Sequence, residues 1–209
     1  MTDATTRQRK RAQRLPPEER RRRLLGSAIA TFARLGVDST VHADVARAAG
    51  VSVPTMFTYF PVREALISAV IDEVERFLLH LMEQSANDQP SAAAAIRAIL
   101  EAFAAAADEH ADYIKVWMDW STHVAEPTWS RYEVFQDRVL ERLAALIDQG
   151  KASGEIRREV DATMGAHLIM GSGHMIAQMK FRQRDDRLVE NFIQTLIGRS
   201  LFYGTDTAS

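Results

Sequence analysis

Apolar positions recur at helical spacing along almost the whole chain, and nowhere does a period-two strand pattern persist. Leu24, Leu25, Ala28, Ile29, Phe32 and Leu35 form one stripe. Pro16-Pro17 followed by Glu18 and Glu19 predicts its start, and Gly36 its stop. The opposite face carries Arg20, Arg22, Arg23 and, in part, Arg34. A short helix is expected over 41–49, with Val45 and Ala46 or Ala49 inward and Gly50 allowing a left-handed turn. Ser52 then caps a second short helix over 53–59, which Phe60-Pro61 breaks. Helix, glycine-containing turn, helix is the helix-turn-helix pattern.

The remaining stripes predict helices over 62–84, after Pro90, over 112–123, from Pro127 to a stop at Gly150, over 161–181 behind Asp161, and from Asp185 or Asp186 to about 202. The expected fold class is all-α, with about nine helices: a head at 1–65 and a body at 66–205.

Charge divides the chain in the same place. Residues 1–63 hold twelve Lys/Arg against five Asp/Glu, a net of +7, while residues 64–209 have a net of −9. A basic head on an acidic body suggests one end that binds a polyanion and another that must not. The absence of cysteine excludes disulfide scaffolds, thiolate metal sites and cysteine nucleophiles. No apolar run approaches the ~20 residues of a membrane span, and MTDATTRQRK lacks an apolar signal core. A cytoplasmic protein is expected. No HExxH, GxSxG, GxxxxGK or post-strand GxGxxG is present, so no enzyme is read here and no cofactor is expected.

The helix over 53–59 is the candidate reader of a DNA major groove, which admits one α-helix. Thr55 and Thr58 share a face, flanked by Ser52 and Met56; Phe57 is read as core. His42 opens the preceding helix as a phosphate contact or a cap. Arg9, Lys10, Arg11 and Arg14 form a basic arm suited to a narrow A·T-rich minor groove; a plain solubility tail is the other reading. In the body, Phe77, Leu78, Leu81, Met82, Trp117, Trp120, Trp129 and Tyr132 are candidates for the wall of a cavity or for ordinary core. Gly165, Gly171 and Gly173 within one helix suggest close packing or a cavity, and close approach at a two-fold interface is preferred. His167 and His174, seven apart, have no evident third ligand, so no metal is expected.

ADVARAAGVSVPTMFTYFPVREAL and GEIRREVDA resemble the DNA-binding head and the entry to the dimerisation helices of TetR-family transcriptional regulators. HADVARAAGVS, MFTYFPVRE and KVWMDWS resemble more narrowly the HapR/LuxR-type quorum-sensing master regulators, a TetR-fold subgroup whose members activate as well as repress. The resemblance implies a homodimer on double-stranded operator DNA, with Tyr59 and Arg63 as phosphate clamps. It further implies a small apolar or amphipathic ligand in the body, with Gln136 as polar orienter and Leu140 beside it. Dimerisation would run through the last two helices, at Gly171, His174, Phe192 and Leu196. Where this chain has Thr58 the subgroup has Asn, so the subgroup's operator sequence does not carry over. The alternative reading is a helical hydrophobe-binding protein whose basic arm touches an anionic membrane.

Overall fold

The computed structural model describes residues 16–122, 128–182 and 185–201. Among these it has nine α-helices, a closing π-helical turn (Leu196–Leu201) and no strand. The head contains α1 (Pro17–Leu35), α2 (His42–Ala49) and α3 (Val53–Tyr59). The body is built from α4 (Arg63–Ala86), α5 (Ala92–Glu109), α6 (Ala111–Trp120), α7 (Trp129–Ser153), α8 (Ala162–Phe181) and α9 (Asp186–Thr195). No described helix is long and apolar enough to cross a membrane. The arm residues Arg9, Lys10, Arg11 and Arg14 lie outside the described residues.

Local chemistry sets most boundaries. Gly36 ends α1 at φ +88° and Gly50 ends α2 at φ +66°, a left-handed conformation that costs glycine little. Ser52, Ser91 and Asp161 cap α3, α5 and α8 by accepting the backbone N–H three residues on. The helix expected to open at Pro90 therefore begins two residues later, at Ala92, with Pro90 outside it. Gly150 does not stop α7, which runs on to a left-handed Gly154. A Cβ at Gly150 would stand 2.6 Å from Ile156 Cδ1, so its bare backbone is a packing site inside the helix.

Two apolar clusters fill the interior. One joins the head to the body without a break: Leu24, Phe32, Met56 and Phe60 pack with Leu66 and Val70 of α4 and with Ile114 and Trp120 of α6. The other unites α5, α7, α8 and α9 around Ile96, Leu143, Ile147, Ile169 and Ile193. On the surface, Arg131–Asp72, Arg138–Glu75 and Arg142–Glu83 tie α7 to α4. These exposed pairs contribute little stability each.

Candidate functional site

The exposed edge of the head is α3. Its first turn is fixed by Ser52, whose Oγ accepts the Thr55 N–H and lies 2.8 Å from Thr55 Oγ1. Thr58 Oγ1 donates to the Pro54 carbonyl at 3.1 Å, which consumes its one proton and leaves its lone pairs to accept from a base amino group. Thr58 is exposed, and Thr55 and Tyr59 are half-buried.

Two residues of α3 exchange the places expected for them. Met56 is 0% exposed and belongs to the core, so it cannot flank the threonines at a base edge. Phe57 is 47% exposed. On a seven-residue helix one position is a turn of about 100°, and packing against α2 and the apolar cluster of the head selects Met56 as the inward one. The Phe57 ring stacks on His42 with centroids 4.4 Å apart, which holds it outward, where an aromatic edge can meet a thymine methyl.

His42 itself is buried and is no phosphate contact. Its Nε2–H donates to the Phe60 carbonyl at 2.8 Å, bracing the start of α2 against the end of α3. Arg63 is likewise engaged from within. Its Nη2 donates to the carbonyls of Val37 (2.8 Å) and Asp38 (2.7 Å), and its Nε to that of Thr40 (3.3 Å). The guanidinium therefore clamps the loop between α1 and α2. Asp119 of α6 holds the same loop from the body side, its Oδ2 accepting the buried Val37 N–H at 2.7 Å. Asp119 stands within KVWMDWS, but no sequence pattern assigns it this role. What remains for a phosphate here is Tyr59 and the first-turn N–H groups of α4, whose N-cap Val62 offers no side-chain acceptor.

In the body, a cavity of about 80 Å3 lies among α4, α5, α6, α7 and α8. Of the residues expected at such a wall, it gathers Leu78, Leu81, Met82 and Trp117. Phe103 of α5, Phe135 and Val139 of α7, and Met170 and Gly173 of α8 join them. A Cβ on Gly173 would meet Phe103 and Trp117 at 3.7 Å, so this glycine is part of the wall rather than of a two-fold interface.

The other expected wall residues lie elsewhere. Phe77 packs against His110 and Tyr113. Trp120 is fully buried against Tyr132 and Phe135, and its Nε1–H donates to the Thr128 carbonyl. Tyr132 sits between Trp120 and Trp129, and burial raises its hydroxyl pKa above the usual value. Because α7 turns 135, 139 and 143 toward the cavity, Gln136 and Leu140 fall one position round the helix from them. Neither lines the cavity; Leu140 packs against the second apolar cluster, and no polar side chain stands in for Gln136.

Trp117 is nearly fully buried, and its Nε1 has no partner among the described residues. His174 is half-buried beside it, ring centroids 4.1 Å apart, with Nε2 2.9 Å from Ser121 Oγ. His174 thus turns into the body and away from any outer face of α8. Desolvation lowers its pKa below the ordinary 6.5, with a hydrogen bond to the Met170 carbonyl pulling the other way. A lowered folded value makes the neutral ring the stabilising form: its contribution is complete above about pH 6.5 and is lost as pH falls through the folded value. Thermal melts from pH 7.5 to 5.5 should show wild type losing stability faster than His174→Gln. Equal slopes would remove His174 from the cause.

Gly171 lies on the exposed face of α8 opposite Gly173, with open space where a Cβ would stand. Met164, Leu168 and Met175 are exposed on that same face, and Leu188 is exposed on α9. Phe192 and Leu196 are half-buried, Phe192 in a groove between α8 and α9.

Residues 24–70 match the family model for bacterial regulatory proteins of the tetR family, and residues 89–178 match the Tetracyclin repressor-like C-terminal domain. The chain is 26% identical over 194 residues to the HTH-type transcriptional regulator LuxR of Vibrio harveyi, covering 92% of this chain and 94% of that protein. It is similar in fold to a transcriptional regulator from Saccharomonospora viridis in complex with choline, at TM-score 0.76 and 21% identity over 89% of this chain and 99% of that one. FadR of Bacillus subtilis in complex with stearoyl-CoA follows at TM-score 0.70 and 19% identity, over 84% and 97%. With the helix-turn-helix head and most of the body matched in order by the family's N-terminal and C-terminal models, the protein belongs to the tetR family of DNA-binding, non-enzymatic transcriptional regulators.

Proposed function

We propose that this protein is a homodimeric, sequence-specific regulator whose operator affinity responds to a small apolar or amphipathic ligand held in the body. The observation that carries the reading is the outer face of α3, where Phe57 and Thr58 stand exposed beside the N-terminus of α4, which no side chain caps. Residues 1–65 would do the binding and 66–205 the sensing and pairing. The body contributes a cavity whose wall holds an orphan indole donor, Trp117 Nε1. Such a donor costs about 1–3 kcal/mol, and a ligand acceptor atom would relieve it. A ligand that prefers one separation of the two heads changes operator affinity by its differential binding to the two forms. A role in quorum sensing is the finer reading that the likeness to LuxR supports.

Selection from random duplexes followed by sequencing tests DNA reading directly. On the selected duplex, log K should fall with log salt at a slope of roughly −5 to −9, as counterions leave several neutralised phosphates per head. Thr58→Ala should relax preference at particular base pairs by about 1 kcal/mol or more, while Tyr59→Phe should weaken all duplexes alike. A slope near zero, or a full selected motif in the threonine variant, would reject the α3 assignment.

A further inference from the structure

We propose that the body takes an uncharged amphiphile: an apolar tail in the cavity and a hydrogen-bonding, neutral head in the groove between the C-terminal part of α4 and the C-terminal half of α7. Met82 is the side chain that parts to admit it. The inference rests on the ligand-responsive reading above and narrows it to a chemical class.

Three features of the molecule lead there. The cavity offers a tail nothing polar beyond the single Trp117 donor. At about 80 Å3 it is smaller than the ~150 Å3 cavity that holds a benzene, so an occupant must displace part of the wall. Leu78, Leu81 and Met82 on one side face Phe103 and Val139 on the other. Among these Met82 is the unbranched, readily rearranged side chain.

Met82 and Ile99 are also where the cavity meets the surface. Both line a second hollow of about 340 Å3 that opens between α4 and α7. A molecule that pushes Met82 aside therefore reaches from the interior to this groove without crossing a helix. The two compartments differ sharply in chemistry. The groove carries the amides of Gln84, Asn87 and Gln149, which both donate and accept.

The charges at the groove specify the head. Glu83 and Arg142 line it and are paired with each other at 2.9 Å. The neighbouring Glu75 and Arg138 are paired as well, at 2.6 Å. An ionic head would meet as much repulsion as attraction and would first have to break a pair. An amide, hydroxyl, ester or lactone head meets three amide side chains without disturbing either pair. Carboxylates and quaternary ammonium groups are thereby disfavoured relative to neutral heads on the same tail.

The test uses the full-length protein and a set of probes of equal chain length: decanamide, 1-decanol, decanoate and decyltrimethylammonium, all below their micellar range. Melting temperature and tryptophan fluorescence report binding. We expect the two neutral probes to bind, with affinity rising roughly fourfold per methylene as the alcohol is lengthened from hexanol to decanol. Both ionic probes should bind at least several-fold more weakly. Met82→Trp, which plugs the passage, should abolish the response. Should that variant fail to fold, Gln149→Ala reads the head alone and should weaken decanamide while leaving the melting temperature of the free protein in place. Decanoate binding better than decanol, and losing its advantage in Arg142→Gln, would overturn the neutral head. No response to any probe would overturn the site altogether. Binding to the selected duplex, measured on the same preparation, separates either result from a failure of the regulator reading.

Discussion

Arg63→Ala will destabilise the DNA-binding head by roughly 2–4 kcal/mol, because hydrogen bonds to a charged group are worth about 1.5–3 kcal/mol each. Of the three this guanidinium makes, the one to Asp38 is exposed and the one to Thr40 is long, so only the bond to Val37 counts in full. Those bonds go to the carbonyls of Val37, Asp38 and Thr40, the loop that aims α2 and through it α3. Arg63→Lys should recover little, since an ammonium cannot span the same carbonyls with a rigid fork. Urea denaturation followed by duplex binding distinguishes this role from a phosphate clamp. A clamp variant would unfold at the wild-type midpoint and lose about one unit of salt slope. A loop-clamp variant shifts the midpoint first and loses operator affinity because α3 is no longer held in place. Asp119→Ala attacks the same loop from the body, leaving the buried Val37 N–H without its acceptor at a cost of about 1–3 kcal/mol. Since both side chains restrain one segment, the double variant should fall short of the sum of the two.

The contrast between Arg63 and its expected role shows where sequence stops being informative. Helix positions were legible because they depend on near neighbours: Pro17 at the first turn of α1, Gly50 after α2, Ser52 and Asp161 as caps. Gly150 misled because its meaning is tertiary: Ile156 fills the space a side chain would need. The site divides along the same line. Leu78, Leu81, Met82 and Trp117 share stripes visible in the sequence, and they share the cavity. Phe103, Met170 and Gly173 reach it from α5 and α8, whose docking no local pattern discloses. Met56 and Phe57 stand on other surfaces than the sequence suggests because on so short a helix one position, about 100°, separates inside from outside, and His42 is drawn inward by the Phe60 carbonyl. Asp119, one acid among many, becomes distinctive only when α6 lies against α1.

Gly171→Leu, alone or with Leu168→Glu, will convert the proposed dimer into a folded monomer that no longer holds its operator. Met164 and Leu168 are 57% exposed and Met175 48% exposed; with Gly171 they step by four, three and four along one face of α8. Such an apolar stripe marks an association surface, and an α8–α9 face self-complementary about a two-fold would bury it in a four-helix contact. Fully burying side chains of this size is worth about 1.5–3 kcal/mol each, so the stripe on both chains contributes several kcal/mol to pairing. Gly171 makes the test clean. A Cβ there meets nothing within 4 Å in the single chain, and the position is exposed, so a leucine leaves the backbone into open space. It should even favour the helix by roughly 0.8–1 kcal/mol over glycine. Any loss then belongs to the interface, where overpacking typically costs about 1–3 kcal/mol and two copies of the side chain meet. Sedimentation should give a monomer with wild-type helical circular dichroism, and operator affinity should drop because each head binds only its own half-site. An intact Gly171→Leu dimer would place the close approach elsewhere on α8. An intact dimer carrying both Leu168→Glu and Met175→Glu would remove this face from the interface altogether.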